Sequence, residues 1–186
     1  MTYTSPSPVA ADGQLQRLVQ FSRLRFSRRL IQNGEVLIYN GMDELSQVFA
    51  RALFSTFPNW ERFLKTVNDD KTGAHYIEVV VPQEGTDRLL HLSTVDHEIT
   101  IAFEQWHTHL GTFLGIDTAE SVATAITIVE SFVTEQAVVR ISHRDGVWIE
   151  SSLEYHAAPS EPKPNYKTQV FSWRRTYDET IETPSP

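Results

Sequence analysis

The sequence predicts an α+β protein: a largely antiparallel five- to six-stranded sheet, packed with N-terminal helices and with one helix inserted between strands. Three observations predict it. Apolar residues recur at helical spacing in the early part of the chain, the spacing changes to every second residue from residue 74, and a helical period returns at 117–136 between strand-like runs.

Residues 1–12, rich in Ser, Thr, Pro and Ala, read as a flexible tail and 183–186 as another, leaving 13–182 as one α+β domain. From Gln14 the positions of Leu15, Val19, Phe26 and Leu30 fit one stripe of a helix, with Gly34 suited to its C-terminal cap. Asn33-Gly34 also lies between two apolar runs, so a two-residue hairpin competes for residues 22–40. A helix to residue 31 followed by a strand at 36–39 is the preferred alternative. In "GMDELSQVFARALFSTFPNWERFLKTV" the stripe is Leu45, Val48, Phe49, Ala52 and Leu53, and Pro58 stops it. Asn59 can cap a last short helix carrying Trp60, Phe63 and Leu64.

"AHYIEVVVPQ", "DRLLHLSTV" and "HEITIAFEQWHTHL" then read as three consecutive strands of a meander. Asp117, with Glu120 three residues on, opens a helix whose buried stripe is Val122, Ala125, Ile126, Val129 and Val133, with Ser and Thr on its other face. "AVVRISHRDGVWIESSLEYH" is a hairpin turning at Asp145-Gly146. A proline-rich loop follows, and "QVFSWRRTYDETI" reads as a final strand with Phe171 and Trp173 toward the core and Arg174 toward water.

The 186 residues suit one domain, and 40% hydrophobic residues with 11% aromatics are ample for a core. No apolar run approaches the roughly 20 residues of a membrane span, and the first residues lack the basic start and apolar block of a secretory signal. With no cysteine, the chain has no disulfide, thiolate metal site or cysteine nucleophile, and a cytoplasmic location is expected. The net charge of −8 argues against nucleic acid as a partner, although Arg17, Arg23, Arg25, Arg28 and Arg29 fall together without an acid between Gln14 and Gly34. That run is a solvated basic face or a docking surface for an acidic partner.

The chemistry-bearing candidate is "WHTH". If "EITIAFEQWHTHLG", 98–111, is one strand, Ile99, Ile101, Phe103, Gln105, His107 and His109 share one face, and Trp106 points away from both histidines. Side chains two apart on a strand start about 6–7 Å from each other, so His107 and His109 can converge on one divalent metal ion. Such a site needs a third protein ligand. His75 is the favoured one, with Glu78 or Glu154 as carboxylate alternatives; His91, expected opposite residues 100–101, falls short of His107. Histidines hydrogen-bonded at the end of a sheet, and a binding surface shared with Trp106, are the competing readings. No cofactor is expected beyond such a metal. Nucleotide-binding glycine patterns and the G-x-S-x-G elbow are absent. Glu150 and Glu154, about 13 Å apart on a strand, cannot work on one bond. Trp173, Arg174, Arg175 and Tyr177 have the composition of an interface hot spot.

Over residues 74–182 the succession of these segments resembles a group of small bacterial proteins that share a strand ending in Trp/Tyr-His-x-His and a late Ser-Trp element before Tyr-Asp. Some of that group are similar to the immunity proteins of bacterial toxin systems. The resemblance rests on Trp106, His107, His109, Ser172, Trp173, Tyr177 and Asp178. It implies a partner protein such as a toxin and no catalytic activity. The expected function is therefore non-enzymatic protein binding through residues drawn from Trp106, His107, His109, Trp173, Arg174 and Tyr177. A metal-dependent enzyme using His107 and His109 is the alternative.

Overall fold

The computed structural model describes residues 42–68, 73, 75–111, 115–156 and 159–184. The arginine-bearing stretch 14–39, with its helix-or-hairpin alternative, lies outside them, as does the tail 1–12. Helix α1 (Glu44–Thr56) starts at Asp43, whose carboxylate accepts from the Ser46 N–H at 2.8 Å and its hydroxyl at 3.0 Å. Leu45, Phe49 and Leu53 are buried as expected. Ser46, Ala50 and Phe54 are buried beside them, while Val48 and Ala52 are only half-covered, so the core stripe is rotated by one position. Pro58 opens a 3-10 turn (Pro58–Phe63) in place of an α-helix, and Leu64 already belongs to strand β1 (Leu64–Asn68). That strand had no period-two signal because only Leu64 and Val67 are half-covered.

The first sheet runs β1-β2-β3-β4-β5, all antiparallel, with β2 His75–Pro82, β3 Leu89–Ser93, β4 Glu98–Phe103 and β5 Trp106–Gly111. Ile77, Val79, Val81, Leu90, Leu92, Ile99, Ile101, Phe103, Trp106 and Leu110 line its core face. Here the structure corrects the sequence: 98–111 is two strands folded back at Glu104-Gln105, with Phe103 paired to Trp106. Glu104 takes the turn at φ 53°, a left-handed conformation uncommon outside glycine. Without Gly, Asn or Asp at the turn, the hairpin left no trace in the sequence.

After β5, helix α2 (Thr118–Val133) is capped by Asp117, whose side chain accepts from the Glu120 N–H at 2.8 Å. Val122, Ala125, Ile126 and Val129 are buried as expected, but so are Ser121, Thr124, Ile128, Ser131 and Phe132, while Val133 is half-covered. The helix packs against α1, β4, β5 and β6, and the stripe Ala119, Ala123, Thr127 and Glu130 is left exposed or half-covered. Ser131 tolerates its burial by returning its hydroxyl to the Ile128 carbonyl at 2.8 Å.

The second sheet is also antiparallel, in the order β7-β6-β8-β9: β6 Ala137–Arg144, β7 Val147–Tyr155, β8 Lys167–Phe171 and β9 Glu179–Glu182. The chain is α+β, as expected, with nine strands in two sheets among the described residues instead of five or six in one. Asp145-Gly146 makes the expected turn, with φ of 54° and 76°. The expected last strand is broken into β8 and β9 by the loop 172–178. Thr183, assigned to the tail, exchanges backbone hydrogen bonds with Asn165 and Tyr166. Phe103, Phe132 and Trp173 form one aromatic cluster, with centroids 4.4, 6.0 and 5.8 Å apart, joining the first sheet, α2 and that loop. No helix among the described residues is long and apolar enough to cross a membrane.

Candidate functional site

The fold-back at Glu104-Gln105 decides where the WHTH residues point. Residues paired across a hairpin share a face, so Trp106 lies with Phe103 and Thr108 with Ile101 on the core side. His107, opposite Ala102, and His109, opposite Thr100, lie on the outer face. The expectation that the two histidines prolong the core face is thus reversed. They remain on one side together, with ring centroids 5.0 Å apart and planes at 78°. His109 Nδ1 meets Glu98 Oε1 at 2.6 Å and Thr100 Oγ1 at 3.1 Å. His107 is exposed. His91 shares this face and is also opposite Ala102, from the other side. Its Nε2 turns to Glu78 Oε1 at 2.7 Å, away from the pair.

His75 does not come near. It pairs with Asn68 on β2, three strands from β5, and its alternation with Ile77 puts it on the opposite face. Glu78 is committed to His91, and Glu154 lies on β7 in the other sheet, within reach of Arg140 at 3.4 Å. Among the described residues no group of three or more His, Asp or Glu is placed to hold a metal ion.

Trp106 and Trp173 retain only 7% and 5% of their surface, so neither presents its indole to a partner in this conformation. Trp173 is held by a network the sequence did not announce. Arg88, 6% exposed, enters from the start of β3 and grips Asp178 with both ends of its guanidinium, at 2.9 and 2.5 Å. The same Nη1 donates to the Ser172 carbonyl, Nε approaches Glu104 Oε1 at 3.5 Å, and the guanidinium lies 5.3 Å from the Phe171 ring. Asp178 also accepts from the Ser172 N–H at 3.0 Å, and the Ser172 hydroxyl accepts from the Tyr177 N–H at 3.0 Å. Burial pushes the Asp178 carboxyl up, but hydrogen bonds from Arg88 and Ser172 and the charges of Arg88 and Arg175 outweigh it and hold it below the usual carboxylate range.

Glu135 holds the loop from its other side, accepting from the Arg174 N–H at 2.7 Å. Burial raises its carboxyl, while hydrogen bonds from Thr176, Arg174 and Ser172 bring it down to a net value below the ordinary one. Ser172, Trp173 and Asp178 are therefore the fastening of a loop to two sheets. Arg174 and Tyr177 stay exposed. The Tyr177 ring lies 4.1 Å from that of His156, at the edge of a cleft of about 330 Å³ floored by Val138, Arg140 and Val170.

The most exposed apolar surface lies elsewhere. Val147, Trp148 and Ile149, at the tip of the β6–β7 hairpin, are 62%, 52% and 37% exposed. They begin β7, a nine-residue strand at the edge of its sheet. A bulge at Ser142/His143 sets the register so that Trp148 pairs with His143. The sequence held the signal: three large apolar residues directly after a turn cannot all face one side of a strand.

Compared with protein-family models, curated proteins and solved structures, the chain finds no match in any of the three.

Proposed function

We propose that the protein is a non-enzymatic protein-binding domain of the immunity-protein type, and that it engages a basic partner protein through the β6–β7 hairpin. The supporting observation is the exposed run Val147-Trp148-Ile149 on an edge strand. Edge strands are normally blunted by charge or shortness, as β9 is by Glu179, Glu182 and the Lys167–Glu182 pair, and β1 by Lys65 and its five residues. β7 keeps an unprotected apolar tip with a tryptophan at its centre, the residue type most enriched among interface hot spots. The net charge of −8 favours a basic partner by steering its approach.

Co-expression with each toxin-like protein encoded beside this chain tests the reading. Rescue of growth together with a stable complex is the expected outcome. Absence of both for every such protein contradicts it.

A further inference from the structure

We propose that His107 and His109 form an open two-histidine chelate for a borderline divalent cation such as copper(II), nickel(II) or zinc(II), independent of the protein-binding surface. Three observations carry this.

The first is the spacing. A metal about 2.1 Å from each imidazole nitrogen lies about 3.2 Å from each ring centre, so centres 5.0 Å apart subtend about 100° at the ion, between the octahedral and tetrahedral angles. The backbone does not have to move; His109 keeps its place against Glu98, and rotation of the exposed His107 ring about its terminal torsion aims the second nitrogen.

The second is the partner of His109. Its Nδ1 is held against Glu98 Oε1 at 2.6 Å. A carboxylate on one ring nitrogen fixes the N–H there and leaves the lone pair on Nε2; histidines that ligate metals are commonly oriented this way. Glu98 is thus a positioning residue behind the ligand, not a third ligand.

The third is access. The pair stands on the outer face of β5 beside Ala102, a side chain too short to obstruct an ion, and His107 is exposed. With two protein nitrogens the remaining positions belong to water. Nitrogen donors without thiolate or further carboxylate favour copper and nickel over magnesium and calcium.

The test is calorimetric titration of the chelator-treated full chain with nickel(II), then with copper(II) followed by electron paramagnetic resonance. One equivalent is expected to bind at pH 7.5, with a copper spectrum showing two nitrogen ligands. His107→Gln and His109→Gln should each weaken binding at least tenfold, and Glu98→Gln by about 10- to 100-fold. Unchanged circular dichroism in each variant separates loss of ligand from loss of fold. Absence of binding to the unaltered chain, or equal binding by the His107→Gln/His109→Gln double variant, overturns the proposal.

Discussion

Arg88 is the residue on which the joint between the sheets depends. Its guanidinium is nearly dry, and a buried charge is tolerable only when paired and hydrogen-bonded. Replacing Asp178 by Asn removes the charge partner while Ser172 and the more distant Glu104 remain. Because Asp178 itself is partly exposed, the expected loss is about 2–3 kcal/mol, below that of a fully enclosed pair, read as a lower urea midpoint. The carboxyls of Asp178 and Glu135 titrate below their unfolded values of about 3.9 and 4.3. Their pairing therefore stabilises the fold fully above about pH 5, and the contribution is lost as pH falls through the lower folded values. Urea midpoints at pH 3 and pH 7 should differ less for Asp178→Asn than for the unaltered chain; an identical acid dependence would speak against the assignment. None of this was legible in "TDRLLH", since the contact between Arg88 and Asp178 spans ninety positions.

At the scale of elements, the strongly periodic segments were readable and the joints were not. β2, α2 and the β6–β7 hairpin follow their apolar spacing and their Asp117 and Asp145-Gly146 signals. The β4–β5 turn was missed because Glu104 adopts a positive φ without a residue that advertises it, and that one miss assigned His107, His109 and Trp106 to the wrong faces. The burial of two tryptophans gives a contrasting pair of predictions. Trp106→Ala should cost about 3–5 kcal/mol as a core deletion, whereas Trp148→Ala should stay within about 0.5 kcal/mol as an exposed change; thermal unfolding distinguishes them. Gly111, at the end of β5, is tightly enclosed: a Cβ there would stand 3.0 Å from the Glu98 Cβ and 3.1 Å from the His97 carbonyl oxygen, so the neighbouring strand would have to give way by a few tenths of an ångström. Gly111→Ala should cost about 1–3 kcal/mol through this overpacking.

Across the described residues, a fastened core adjoins a sparsely protected sheet edge. Trp173, Ser172 and Asp178 serve the fastening; Val147, Trp148 and Ile149 are left exposed at the hairpin tip. For the proposed complex, a net charge of −8 predicts that association with a basic protein falls as salt rises, chiefly through a slower on-rate, while the apolar hairpin tip sets how long the complex lasts. The most direct measurement is the affinity of the complex recovered by co-expression, compared between the unaltered chain and Trp148→Ala at matched ionic strength. A loss of about 30-fold or more, the scale of a hot-spot truncation of at least 2 kcal/mol, with an unchanged unfolding temperature, is the predicted result. An affinity indifferent to Trp148→Ala would contradict the claim that this hairpin is where the protein binds.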